Sequence, residues 1–465
     1  MNDRGFIKHW LHQGAAPPGR GRSLRKPPAW VGLPLAAIVL VFAVLIFLFG
    51  GAVLAHFGKK RAERWFAEAH PGAVLQIGGL DYSVRANCLV AQSVTLSTTD
   101  STFKVGRLSL TGVHWVRLLW GTAALADALA GARLDATSLE VESSRTQYGI
   151  RCARLRASLP DSTILAEGIE FRPLVGDEVF FAAHKFRTTR FHVAVPACSV
   201  AGLAFEEILT GKSFRARSVH VSRPSFDALV NRDKPVGPFV KRPLMVHEAL
   251  AEIRPPLRID SFSLSEGRLT YRERLVAGAD PGVLTFGAIS MSVAGITNRG
   301  DASTTILLRA QGDLMDAGTV KLLMSIPIAP PDFSLHYSGS LSAMDLTRLD
   351  AFLAIANHIR IKSGNAKEAS FDIEVTGGQA RGWVKAIYEN LEFAFLDKET
   401  GSENGLDNRV VSFLAKELKF RSSNAPDAAG SMKEGKVNYT IKPEDPFMRF
   451  VWFALRSGAR DVVCQ

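Results

Sequence analysis

The sequence predicts a mostly β protein, in which an N-terminal transmembrane helix is followed by an elongated, curled antiparallel β-sheet with a few short helices. Three observations predict this fold class. A long run without charge lies near the N-terminus, apolar and polar residues alternate over most of the remaining chain, and helical periodicity is confined to short segments. With 47% hydrophobic and 22% charged residues among 465, the chain has the composition of a folded protein.

The run without charge is Trp30–Phe57, which holds 28 residues and no Asp, Glu, Lys or Arg. At a rise of ~1.5 Å per residue, such a helix is about 42 Å long, which exceeds the ~30 Å hydrocarbon core of a bilayer. A buried core helix would usually be shorter and amphipathic. A cleaved signal peptide would have an apolar segment of only ~7–15 residues. The run therefore predicts an uncleaved, single-pass membrane anchor.

Basic residues flank both ends of this span. Residues 1–29 contain six Lys or Arg, one acid and four prolines, and they predict a flexible basic arm. Residues 59–64 contain four further Lys or Arg. Because cytoplasmic flanks carry the excess of positive charge, this difference favours a cytoplasmic N-terminus. The net charge of +11 is otherwise spread along the chain, which suits anionic lipid, nucleic acid or simple solubility equally.

Beyond the anchor, apolar residues alternate with polar ones, as is typical of strands with one buried face. Gly, Asn, Asp or Pro separate these segments, and Gly377-Gly378 predicts a tight turn. The alternating apolar rows are Phe103/Val105, Leu139/Val141, Ile169/Phe171, Val219/Val221, Ile289/Met291/Val293, Val320/Leu322/Met324/Ile326, Phe333/Leu335/Tyr337, Phe371/Ile373/Val375, Val384/Ala386/Tyr388, Leu391/Phe393/Phe395 and Val437/Tyr439/Ile441.

Helical patterns are few. Short amphipathic helices are predicted over residues 55–69 and 116–130, and another over 345–357 with Asp345 as its N-cap. The segment 446–463 predicts a closing amphipathic helix that suits either docking against the sheet or a membrane interface, and we expect docking.

Roughly twenty strands at ~4.8 Å spacing would make one sheet on the order of 90 Å wide. Such a sheet cannot leave its apolar face in water, so it must fold over, pair or hold something apolar. Two architectures satisfy this requirement. One is a filled β-sandwich or barrel, and the other is a curled sheet whose inner face forms an apolar groove. Alternation alone does not separate them.

Motifs for catalysis and metal binding are incomplete. Gly211-Lys212-Ser213 ends like a phosphate-binding loop, but Glu206 stands where its first glycine belongs. His247-Glu248 begins like a zinc-protease motif, but Ala251 replaces the second histidine. The cysteines are far apart in sequence, which favours free thiols. We therefore predict no enzymatic activity, no cofactor and no metal. The four cysteines are Cys88, Cys152, Cys198 and Cys464.

Several segments, in this order along the chain, resemble AsmA-like envelope proteins. They are the anchor, residues 105–126 (VGRLSLTGVHWVRLLWGTAALA), residues 259–298 (beginning IDSFSLSEGRLTYRERL), and a stretch that runs from 338 through 391 to the terminal segment 446–463. The closest likeness is to the branch with a domain of unknown function before its C-terminus. The similarity is spread over nearly the whole chain from Trp30.

This resemblance implies an inner-membrane protein whose bulk lies in the periplasm of a Gram-negative-type envelope. It implies a taco-shaped β-groove over 58–342, an AsmA-like β region with the closing helix over 343–465, and a role in moving phospholipid between the two membranes to support outer-membrane lipid homeostasis. Since the chain is short, a partial conduit or adaptor fits better than a complete bridge. The candidate groove wall comprises Val320, Leu322, Met324, Phe333, Leu335, Tyr337, Phe371, Ile373, Val375, Leu391, Phe393 and Phe395.

The expected partners are a phospholipid or other acyl-chain lipid, the inner membrane and an envelope protein, and not nucleic acid. The alternative function is that of a structural or assembly factor, which would bind an outer-membrane or envelope protein through the edge of its sheet.

Overall fold

A computed structural model describes residues 63, 72–115, 125–237, 244–301, 303–328, 332–397, 420–443 and 445–464. The predicted arm 1–29, the predicted span Trp30–Phe57, the polar loop 400–408 and, apart from Glu63, the predicted helix 55–69 lie outside these residues. Among the helices within the described ranges, none is both long and apolar enough to cross a bilayer.

The described chain is mostly β and forms one sheet of 18 strands. Most of the predicted alternating rows lie in these strands, because alternation matches the two faces of a pleated strand. The strands are β1 Val74–Ser83, β2 Cys88–Ser97, β3 Ser101–Thr111, β4 Arg133–Ser143, β5 Tyr148–Ser158, β6 Thr163–Pro173, β7 Thr189–Ala201, β8 Phe214–Ser222, β9 Ser225–Asn231, β10 Leu257–Arg274, β11 Gly282–Thr297, β12 Thr305–Leu314, β13 Gly318–Pro327, β14 Leu335–Leu341, β15 Met344–Asp345, β16 Ile359–Thr376, β17 Gln379–Phe395 and β18 Glu434–Thr440.

The sheet is mixed, so the prediction of a purely antiparallel sheet is wrong. Strands β1 to β7 pair antiparallel in chain order, and so do β10 to β14. Strands β14 and β15 both pair with β16, which continues to β17 and β18. Strands β8 and β9 lie end to end between β7 and β10, antiparallel to β7 and parallel to β10. The pairing is parallel because β10 begins beside the first residue of β8 and then continues alongside β9. After β9 ends at Asn231, the chain therefore returns to the end of the sheet at which β8 began.

Within the described residues six helices accompany the sheet, and all but the last are short: α1 Leu125–Leu129, α2 Asp177–Ala182, α3 Phe205–Leu209, α4 Val246–Ala251, α5 Asp350–Ala356 and α6 Phe447–Val463. The predicted C-terminal helix is confirmed by α6. The predicted cap is also confirmed, since the Asp345 side chain accepts from the Thr347 backbone N–H at 2.9 Å, at the start of a 3-10 turn that leads into α5. Helices α2, α3 and α4 were not predicted, because five or six residues show no readable helical period.

The turn predicted at Gly377-Gly378 is confirmed. These two residues join β16 to β17, and their φ angles are 56° and 78°. Both values lie in the left-handed region that a two-residue hairpin turn requires and that glycine adopts without a steric penalty.

The apolar side chains form two main clusters. The first is built from β1 to β8 with the start of β10, and includes Ile77 and Leu155. The second is built mainly from β12 to β18 with α4 and α6, and includes Tyr337 and Phe450. The sheet itself continues without interruption past residue 342, so the division into 58–342 and 343–465 stays a prediction. We call β1–β9 the N-terminal half and β10–β18 the C-terminal half.

A line of backbone steps, which we call the crease, crosses the N-terminal half. In each of β1 to β7, two consecutive residues that are not buried stand between two residues of the apolar face. Ser93, Ser138 and Gly168 lie on this line with φ angles of 50°, 54° and 61°. Because every strand steps at the same register row, the apolar face continues on both sides of the crease. The pairs are residues 78–79, 92–93, 106–107, 137–138, 153–154, 167–168 and 196–197.

Side-chain size along the crease is set by steric contact between neighbouring strands. A Cβ added to Gly78 would lie 2.8 Å from the Cβ of Ser93, and one added to Gly106 would lie 2.9 Å from that of Ser138. Two Cβ atoms do not approach this closely without displacing the backbone. Glycine therefore stands opposite serine at these two positions.

Buried ion pairs join the two halves beside α2. The guanidinium of Arg190 donates to Asp177 at 2.8 Å and to Asp227 at 2.6 Å. Arg272 of β10 donates to the same Asp227 carboxylate at 2.7 and 2.9 Å. Arg190 is buried, so removing both acids would leave its charge without a partner. The junction between β9 and β10 is therefore held by charge as well as by backbone pairing.

Candidate functional site

Helix α6 covers part of the apolar face of the C-terminal half. Its residues Phe450, Ala454, Gly458 and Val462 are buried against the second cluster. The Tyr337 hydroxyl donates to the Val451 carbonyl at 3.1 Å, which ties the helix to β14. The predicted docking of the terminal segment is thereby confirmed.

A second cover comes from α4. The ring of His247 stacks on Phe333 with centroids 5.8 Å apart, and Phe333 also meets Phe447 and Phe450 of α6. Burial under these helices raises the pKa of the Tyr337 phenol above its ordinary value, so this hydroxyl stays a neutral donor.

The twelve candidate groove residues fall into three groups. Six are buried in the second cluster, in the part that α4 and α6 cover: Met324, Phe333, Leu335, Tyr337, Ile373 and Val375. Three are half-buried on neighbouring strands: Val320, Leu322 and Phe371. The last three, Leu391, Phe393 and Phe395, are half-buried near the end of β17.

Two residues of the second group, Leu322 and Phe371, belong to a continuous row that we call the open row. Successive strand pairings place one residue of the row on each of six strands, β10, β11, β12, β13, β14 and β16, and every member is half-buried. Five intervals of ~4.8 Å give the row a length of about 24 Å. An apolar row of this kind presents hydrocarbon surface that water still reaches. The row consists of Leu264, Met291, Ala310, Leu322, Gly339 and Phe371.

Two residues of the third group, Phe393 and Phe395, lie apart from the open row, in an aromatic cluster. Phe393 packs edge-on against Phe420 with centroids 4.4 Å apart, and Phe395 lies 5.8 Å from Phe393. Leu391 packs against the second cluster. The structure thus does not bring all the predicted residues into one surface.

A shallow depression of about 740 Å³ lies on the opposite, polar face of the C-terminal half. From each of five strands its lining takes two alternating residues of the polar face and the open-row residue between them, so most of the lining residues belong to the polar face. They include five serines and longer side chains such as Lys321 and Trp383. The polar-face lining is Ser290, Ser292, Arg309, Gln311, Lys321, Leu323, Ser338, Ser340, Ser370, Asp372 and Trp383.

Among the residues that the structure describes, the reactive side chains do not assemble a catalytic constellation around the open row. All four cysteines are free, as predicted, and burial raises the pKa of the Cys198 thiol to about 11, which keeps it protonated and unreactive. Within the described ranges, His, Cys, Asp and Glu side chains form no group of three that could hold a metal ion. What the open row can do is bind an apolar group.

Sequence reasoning missed four of the six members of the open row. Met291 was found as part of a strand but not as a site residue, and Leu264 was not singled out. Both have the same alternation as Leu322, so the signal was present. Ala310 and Gly339 were missed because small residues give little hydropathy signal. The depression on the polar face has a readable trace in its alternating serines, such as Ser290 and Ser292.

Neither the family models nor the curated proteins compared with this chain give a match. The open row and the covered region beside it are therefore the observations from which a function is argued.

Proposed function

We propose that the chain is a membrane-anchored β-groove protein that binds or conveys phospholipid between the membranes of a cell envelope. The open row is the observation on which this rests. It offers six adjoining apolar positions that the fold leaves half-exposed, beside a region of the same face that α6 and α4 cover. In this proposal the acyl chains lie along the open row, and the headgroup stays in water.

The crease supports the curled, taco-like shape that the proposal needs. A step at the same row of seven strands lets a wide sheet bend along one line without losing strand pairing. The long run Trp30–Phe57 supports the anchor, and the resemblance to AsmA-like proteins supports an inner-membrane location with the bulk in the periplasm.

Hydrophobic burial supplies the driving force. Covering apolar surface is worth ~25 cal/mol per Å², so even ~200 Å² shared between an acyl chain and the row would contribute about 5 kcal/mol before the cost of ordering the chain. No covalent step is required, which agrees with the expectation that the protein is not an enzyme.

Photo-crosslinking at adjacent positions of one strand tests the proposal. A photoreactive amino acid at Leu322 or Phe371, in the full-length protein in cells, should capture lipid. The matched control is Leu323, the next residue on β13, which faces the polar side and is 51% exposed. Equal capture at Leu322 and Leu323, or capture at neither open-row position, would overturn the proposal.

The alternative, an assembly factor that binds a protein through the sheet edge, meets an obstacle at β18. Its edge amides are already occupied by α6, since Lys436 N–H donates to Asp461 at 2.7 Å and Asn438 N–H donates to Ser457 at 3.3 Å. At the other edge, the Ile77 N–H donates to Glu63 at 2.8 Å. Recovery of one stoichiometric protein without lipid in a pull-down would nevertheless favour the alternative.

A further inference from the structure

The outward face of α6 combines exposed apolar residues with arginines. Met448 is 65% exposed and Trp452 is 54% exposed, although the opposite face of the helix is buried. Residues four apart lie one above the other on a helix, so Arg456 and Arg460 continue the same line. We call Met448, Trp452, Arg456 and Arg460 the α6 stripe.

Acidic residues near the stripe are engaged elsewhere. The Asp461 carboxylate accepts from the Lys436 N–H on the sheet side of the helix. Asp445 is fully buried and accepts from Tyr439 at 2.7 Å. The Asp461 side chain is 44% exposed, and its carboxylate lies 3.8 Å from the Lys433 ammonium, so among the described residues it is paired with that lysine rather than with an arginine of the stripe.

We propose that the α6 stripe binds the surface of an anionic phospholipid bilayer. Trp and Met insert at the boundary between headgroups and acyl chains, where an amphipathic ring is favoured over water. Arginines bind lipid phosphates and are attracted to the negative potential of the surface. This contact is separate from the open row and from the predicted anchor, and it does not require lipid in the groove.

A flotation assay tests the proposal with the full-length chain. The protein is held in nanodiscs of phosphatidylcholine, so that its N-terminal span is occupied. Vesicles of phosphatidylcholine, with or without about 30% phosphatidylglycerol, are then added, and binding is measured by flotation. The wild-type chain should float with the anionic vesicles, and high salt should weaken this binding.

Two double variants change the stripe and a third serves as their control, and all three retain the basic arm 1–29. Arg456→Gln with Arg460→Gln should lower the partition coefficient on the order of tenfold. Met448→Ala with Trp452→Ala should also weaken binding, on neutral vesicles as well as anionic ones. Leu307→Ala with Leu323→Ala removes two exposed apolar residues from the polar face of the sheet and should leave binding unchanged.

Two outcomes would overturn the proposal. One is flotation of both stripe variants to the wild-type extent, which would assign vesicle binding to another part of the chain such as the basic arm. The other is equal loss in the Leu307/Leu323 control. Unchanged melting of the variants by circular dichroism checks that the fold is retained. Lipid capture at Leu322 is scored separately, so either proposal can fail without the other.

Discussion

The N-terminal and C-terminal halves have the same strand alternation but different surfaces. In the N-terminal half, residues on both sides of the crease are buried in the first cluster, and the polar face is crossed by ion pairs such as Glu140 with Arg151. In the C-terminal half, the apolar face is covered by α4 and α6 in one part and half-exposed along the open row in another. The comparison teaches that one repeating pattern forms a packed core in the first half and leaves a half-exposed apolar surface in the second.

The same substitution in the two halves should give the largest difference. Leu155 is 1% exposed in the first cluster, so Leu155→Ala should cost 2–5 kcal/mol of unfolding free energy, because it leaves a cavity. Leu322 is half-buried, so Leu322→Ala should cost ~1 kcal/mol or less, because solvent or lipid fills the space. Denaturant unfolding of the full-length chain in mild detergent measures both. Equal costs would mean that the open row is ordinary core and would remove the basis of the groove.

The crease should be sensitive to a single methyl group. A Cβ at Gly78 would meet the Cβ of Ser93 at 2.8 Å, whereas one at the adjacent Gly79 would lie 3.8 Å from its nearest neighbour, the Cβ of Gln92. Gly78→Ala should therefore destabilise the protein by ~1–3 kcal/mol, the usual cost of overpacking. Gly79→Ala is the matched control and should cost less than ~0.5 kcal/mol. If the two variants melt at the same temperature, the crease does not depend on close packing at this row.

Sequence alternation predicted the strands and the Gly377-Gly378 turn because both depend on local geometry. It did not reveal the crease, since two consecutive polar-face residues, as at Gln92 and Ser93, interrupt the period and look like the end of a strand. The parallel pairing of β9 with β10 was also missed, because it depends on the path of a connection rather than on the strands. Leu322 and Tyr337 have the same pattern, and only the position of α6 makes one half-exposed and the other buried. This difference in burial depends on tertiary packing, so the alternation of residues along a strand cannot predict it.

Removing an ion pair from the polar face of the N-terminal half should change the unfolding free energy least of the three, and the size of this change should depend on pH. A hydrogen bond from Arg151 at 2.8 Å, with Lys104 and Arg172 nearby, lowers the pKa of Glu140 in the folded state. In the unfolded chain this carboxyl titrates near its ordinary value of 4.5. The stabilisation is therefore complete above that value and is lost as the pH falls through the lowered folded pKa.

Glu140→Gln should accordingly cost ~0.2–1 kcal/mol of unfolding free energy at neutral pH, because exposed ion pairs are weak, and almost nothing well below the folded pKa. Asp81→Asn is the control, since Asp81 is exposed and forms no ion pair with any residue that the structure describes. Its cost should be small, and the carboxylate contributes no ion pair to lose on acidification. Unfolding curves of the wild type, Glu140→Gln and Asp81→Asn at neutral and acidic pH test this prediction. A penalty for Glu140→Gln that persists in acid would mean that Glu140 stabilises β4 by packing rather than by charge, and the contrast between a charged scaffold face and the serine-lined face of the C-terminal half would lose its energetic meaning.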